Sequence, residues 1–154
     1  MPHFETIHPV KHSARNMFAL VADIESYPQF VPLCQALVVR SEREKAGRTI
    51  QIADMTAGYN AIRETFTCQV VAYESENKIT ASYIDGPFKY LENVWRFKEN
   101  ADGTCDIHFT IDYEFKSKAL ALLMGAMFDR AFSRFTAAFE ERADALYGQA
   151  EGAA

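Results

Sequence analysis

The chain has 154 residues, of which 49% are hydrophobic and 13% aromatic, with 16 basic against 21 acidic side chains and a net charge of −5. That length builds one domain with a sizeable core and leaves little room for a second, and the apolar content excludes a disordered chain. The acidic balance argues against DNA as a partner, because phosphate contacts need a basic field, although a local basic patch stays open.

The opening stretch MPHFETIHPVKHSAR lacks an apolar h-region, so no secretory signal is expected. Cys34, Cys68 and Cys105 form no CxxC pair and read as reduced thiols of a cytosolic protein. Residues 4–10 have the composition of a strand. Ser13 is placed to cap a short helix over 14–22, where Met17, Leu20 and Val21 recur at helical spacing. The next stretch, YPQFVPLC (27–34), puts Tyr27, Phe30, Val31 and Leu33 between two prolines. Proline lacks an amide donor and restricts the residue before it, so no regular helix or strand is expected there.

From about 35 to 115 the apolar period becomes two. Ile62, Phe66, Cys68, Val70 and Ala72 share one parity, with Glu64 as the exception; Ile79, Ala81 and Tyr83 follow, then Leu91, Trp95 and Phe97, with Asn93 breaking the pattern. Ile107, Phe109, Ile111, Tyr113 and Phe115 alternate strictly with polar residues. Turn signals stand at 45–47, 74–77, 85–87 and 100–103. This pattern predicts about six strands with one greasy and one wet face, forming a curved antiparallel sheet.

Residues 117–147 contain no proline and one glycine, Gly125, and predict a single amphipathic helix of roughly 30 residues. Leu120, Met124, Phe128, Ala131, Phe135, Ala138, Phe139 and Leu146 fall on its apolar face; Asp129, Ser133, Thr136, Glu140 and Asp144 fall on the other. Leu122 and Ala126 also lie on that second side, so the first turns are apolar nearly all round. A patch of that kind serves a partner, a membrane or a covering loop. The longest nearly apolar run, 119–128, is too short to span a bilayer, which needs about 20 residues. The prediction is an α+β chain: one domain over 1–147 with its sheet wrapped around a long C-terminal helix, and a flexible tail at 148–154.

The order of elements, with DIESYPQFVPLC (23–34), IDGPFKYLENVWRF (84–97) and IHFTIDYEFKS (107–117), resembles the coenzyme Q-binding, START-like proteins of the helix-grip superfamily. Polyketide cyclases and plant hormone-binding proteins share that superfamily, and the bacterial ribosome-association toxin carries the same motifs. The resemblance covers residues 3–147. It implies a helix-grip fold, a hydrophobic cavity, and binding of ubiquinone or a similar polyprenyl lipid as ligand, with no other cofactor required and a supporting role in respiratory electron transport. It also implies that YPQFVPLC lies near one end of the cavity, as a lid, as a plug of the core, or as both. The ligand-binding candidates are then Tyr27, Phe30, Val31, Leu33, Leu91, Asn93, Trp95, Phe97, Phe109, Ile111, Tyr113, Met124, Phe128 and Phe135.

Chemistry needs convergent titratable groups, and no motif supplies them. His3, His8, His12 and His108 lack metal-site spacing and read as solvated or locally bonded. Cys34 reads as a small buried thiol rather than a nucleophile. Glu64 and Asn93 are either polar groups inside the cavity or side chains turned out by a bulge. Trp95 is either plain core or a platform for a ring. The expectation is a non-enzymatic lipid binder, cytoplasmic or peripheral at the inner face of a membrane. Two alternatives stand beside it. One is a ribosome-binding protein using Arg40, Arg43, Lys45 and Arg48 around one hairpin; the other is a cyclase or hydrolase using the same cavity.

Overall fold

The computed structural model describes residues 3–59 and 62–148. Seven strands form one antiparallel sheet: β1 (His3–Val10), β2 (Cys34–Lys45), β3 (Arg48–Tyr59), β4 (Ile62–Tyr73), β5 (Lys78–Asp85), β6 (Phe88–Glu99) and β7 (Cys105–Phe115). Their order across the sheet is β1-β7-β6-β5-β4-β3-β2, so β1 and β2 are its edges. Two helices complete the chain, α1 (Ala14–Ala22) and α2 (Lys118–Tyr147). The six strands after α1, the short helix and the long one all stand where the apolar periods place them. Residues 149–154, most of the expected tail, lie outside the described residues.

Local chemistry explains the element ends. Ser13 accepts a hydrogen bond from the Asn16 amide at 3.1 Å and so caps α1, and Ser117 caps α2 in the same way through Leu120 at 3.0 Å. The strict alternation in β7 is reproduced as alternate buried and half-buried residues along its whole length. The expectation for 27–34 changes in part. Ile24–Gln29 forms a turn of 3-10 helix with Pro28 inside it, and β2 already begins at Cys34. A 3-10 turn tolerates proline because so few of its amides need an internal acceptor.

The face of α2 also differs from expectation at its ends. Thr136, placed by spacing among the polar residues, is buried, and Leu146, placed among the apolar ones, is 54% exposed. Phe132 and Ala143 are buried in the core instead. A 3.6-residue period fixes the stripe only to within a residue or so on either flank, and over eight turns that uncertainty grows. Gly125 relieves no crowding either, because a Cβ built on it meets open space.

The histidines are tied more closely than expected. His12 is fully buried and hydrogen-bonds Asp144 at 2.7 Å, while His8 bonds Glu140 at 2.8 Å. Together they bind the end of β1 and the residues after it to the last two turns of α2. Tyr147 adds a hydrogen bond to the Asn16 carbonyl, and Arg142 bonds Gln29 and lies over the Phe30 ring. On the solvent face, His3 pairs with Asp112 and His108 with Glu5. The Asp112 hydrogen bond raises the pKa of His3, and the bond from His108 lowers that of Glu5. These groups are exposed and screened, so they hold the β1–β7 edge only weakly.

The core lies between the concave face and α2. Phe139 packs edge-on against Trp95, Tyr27 and Phe30, with ring centroids 5.0 to 5.3 Å apart. Phe139→Ala should therefore cost about 3–5 kcal/mol in urea unfolding. Gly125→Ala should stabilise by about 1 kcal/mol, because it gains helix propensity and meets no neighbour.

Candidate functional site: an apolar cavity with one amide

A helix covers only a strip of a seven-stranded sheet. Here α2 packs mainly on β7, β1 and α1, and α1 on β6 and β5, so the main helix contacts fall away from β3 and β4. A cavity of about 120 Å³ remains in that offset. Its floor comes from Ala53, Met55 and Ala57 of β3, Phe66, Cys68 and Val70 of β4, Ile79 and Ala81 of β5, and Leu91, Asn93 and Trp95 of β6. Its roof comes from Phe128, Ala131, Phe132, Phe135 and Phe139 of α2, and its end from Tyr27 and the 31–34 segment.

Nine of the sequence candidates stand at this wall: Tyr27, Val31, Leu33, Leu91, Asn93, Trp95, Ile111, Phe128 and Phe135. The other five stand in the packed layer around it. Phe30 lies against Tyr27 and Phe139; Phe97 stacks on Trp95; Phe109 lies among Phe4, Trp95 and Phe135; Tyr113 and Phe88 lie edge to face. Met124 is fully buried. Sequence reasoning missed the small residues that make the space. Ala53, Ala57 and Ala81 occupy inward positions of strands, where alanine packs poorly, and that mismatch was the available signal.

Asn93 faces the cavity without a bulge, since its register with Ala81 and Ile111 is unbroken. Its amide nitrogen donates to the Thr110 carbonyl at 2.8 Å, and its oxygen accepts from the Trp95 indole at 3.1 Å. Both partners fix which end of the amide is nitrogen. The second amide hydrogen has no protein acceptor among the described residues. Glu64 is half-buried opposite Ala57 and is not among the lining residues.

The remaining heteroatoms at the wall are inert as acids or bases. The Tyr27 phenol donates to the Val21 carbonyl, and burial pushes its pKa far up. Burial raises Cys34 to about 11 and Cys68 to about 12, so both stay protonated at neutral pH. Among the described residues no carboxylate, imidazole, ammonium or guanidinium lines the cavity. Among the described residues, no group of histidine, cysteine and carboxylate side chains is arranged to hold a metal.

A groove adjoins the cavity at its candidate mouth. This groove, of about 550 Å³, runs between Pro32–Leu33 and the stretch of α2 from Leu123 to Arg134, and it shares Pro32, Leu33 and Ala131 with the inner space. Leu33 holds a left-handed backbone, φ 67°, which costs a residue with a Cβ about 1–2 kcal/mol. Its carbonyl is held by the Gly58 amide at 2.9 Å. The 27–34 segment thus serves as plug at Phe30 and as wall and rim at Val31, Pro32 and Leu33.

Comparison with known proteins agrees with this architecture. The family described as polyketide cyclase / dehydrase and lipid transport matches residues 10–140. The ribosome association toxin RatA of Escherichia coli K12 is 33% identical over 147 residues, covering 96% of this chain and 90% of that one. The mitochondrial coenzyme Q-binding protein COQ10 homolog B of Xenopus laevis is 31% identical over 143 residues, covering 90% of this chain and 57% of that one. A solved aromatase/cyclase, Zhui from Streptomyces sp. R1128, superposes with a TM-score of 0.81 over 98% of each chain at 15% identity, a likeness of fold alone.

The thiols give a direct check on the wall. In the folded chain, alkylation by iodoacetamide should have its pH midpoint at about 11 or above, against about 8.5 in denaturant. An apolar occupant should slow Cys34 and Cys68 further and leave Cys105 unchanged, as peptide mapping would read. Fast labelling of native Cys34 at pH 7 would contradict the described burial.

Proposed function

We propose that this chain, which belongs to the polyketide cyclase / dehydrase and lipid transport family, holds the ring of a polyprenyl quinone or a related lipid without transforming it. One observation carries the reading: a ring-sized cavity whose wall is apolar except for a single oriented amide. A cavity of comparable size accepts benzene in other proteins. The spare hydrogen of Asn93 suits a carbonyl oxygen on the ring, and Trp95 provides a face beside it. A wall without an acid or base of suitable pKa offers nothing to move protons during a cyclisation, which weighs against an enzyme.

The inner space is too small for a long tail, so the tail leaves through the groove. Each CH₂ removed from water is stabilised by roughly 0.8 kcal/mol, but a bilayer supplies nearly the same. Net affinity is then modest and exchange fast. Such a protein carries or presents its lipid beside a membrane, in the manner of a chaperone supporting respiratory electron transport. No helix among the described residues is long and apolar enough to cross a membrane.

A second reading follows from the identity with RatA, a protein named for ribosome association. The hairpin it would use is less basic than its four cations imply. Arg40 lies 3.5 Å from Asp54, Arg48 lies over the Tyr73 ring, and Glu42 and Glu44 alternate with the cations. Salt-dependent co-sedimentation with ribosomal subunits would favour it over the lipid reading.

Trp95 is the single tryptophan and lies at the cavity, so a short-tailed quinone should quench its fluorescence saturably. Ala53→Phe should fill the cavity and abolish that quenching while the urea midpoint stays the same or rises. Native mass spectrometry of protein from its own host should show a co-purifying lipid. Quenching unaffected by Ala53→Phe would remove the proposed site.

A further inference from the structure

We infer that the mouth of the cavity is a docking surface for an anionic bilayer, with the leucines of the first turns of α2 entering the interface and arginines meeting lipid phosphates. The inference rests on the reading of the cavity as a lipid site and adds where, and on what charge of membrane, the exchange takes place.

Three observations converge. Leu122 is 86% exposed and Leu123 56%, and Ala119, Ala121 and Ala126 around them are exposed too. An isolated exposed leucine means nothing, but a helix end apolar on every side has no water-facing surface. Next, this end opens directly onto the groove that leads to the cavity. Third, residues 116–134 carry Lys116, Lys118, Arg130 and Arg134 against Asp129 as the one carboxylate, within a chain of net charge −5. Among the described residues none of these four cations makes an ion pair, and Arg130 and Arg134 line the groove itself. The other half of the helix is different: Glu140 and Asp144 take up histidines, and the Arg142 guanidinium is held by Gln29.

A greasy tip rimmed by cations fits the headgroup region of a membrane, where leucines sink and guanidinium groups stay at phosphate level. A second copy of the chain fits poorly. A two-fold contact on this patch brings each arginine pair towards its own mate, with Asp129 as the one carboxylate of the stretch to set against four cations. A phosphate-rich surface of RNA would satisfy the arginines but offers the leucines no apolar counterpart.

The test is sedimentation of the full chain with vesicles of phosphatidylcholine alone and with about 30 mol% phosphatidylglycerol added, at low and high salt. The expected result is binding at least about tenfold tighter to the anionic vesicles, lost at high salt. Arg130→Glu with Arg134→Glu should erase the preference. Leu122→Asp should release the chain from both vesicle types while circular dichroism and quenching of Trp95 by a short-tailed quinone stay unchanged, because Leu122 lines neither hollow. Equal binding by all variants, self-association removed by the same substitutions, or retention by ribosomal subunits but not by vesicles would each overturn the inference. If vesicles retain the chain but the quinone does not quench Trp95, docking stands and the ligand reading falls. The opposite pattern separates them the other way.

Discussion

One geometric constraint governs this molecule: a single helix cannot cover the inner face of seven strands. Strands stand about 4.8 Å apart, so the sheet is about 30 Å across, whereas a helix with its side chains is about 10 Å wide. Curvature, α1 and the 24–34 segment cover part of the remainder. The rest is lined by alanines on β3 and β5, which are too short to reach the roof. The cavity is therefore a consequence of where α2 is held, over β7 and β1, and of the small residues opposite it.

That position is itself unevenly secured. The C-terminal half of α2 is bound by His8 to Glu140, by His12 to Asp144, by Tyr147 to the Asn16 carbonyl, and by the Phe139 aromatic cluster. The first turns have Met124 and Phe128 inward and exposed leucines outward. Stability and access are thus separated along one helix, and the mouth lies at the less secured end. Local opening follows the density of buried contacts, so this end of the helix opens more readily than the other.

The polar content of the site is equally economical. Asn93 is half-buried at an inward position, where an idle amide would be costly. Trp95 and Thr110 employ its oxygen and one of its hydrogens, and the other hydrogen has no protein acceptor among the described residues. The remaining heteroatoms, the Tyr27 phenol and the thiols of Cys34 and Cys68, are committed or too weakly acidic. Such a wall suits the holding and orienting of an apolar ring.

The sequence by itself determined the elements and their order. Periods of two and 3.6 are properties of local backbone geometry, so the strands of residues 62–115, both helices and the Ser13 cap were legible from spacing alone. It also showed that Asn93 was anomalous, though parity could not say whether it faced inward or was turned out by a bulge. Tertiary structure decided what depends on contacts far apart in the chain: the pairing of His8 and His12 with carboxylates 132 residues away, the burial of Thr136 and exposure of Leu146, and which aromatics line the hollow rather than pack behind it. The physical reason is that a hollow belongs to no segment. It exists only in the space left between β3–β6 and a helix anchored to the other side of the sheet.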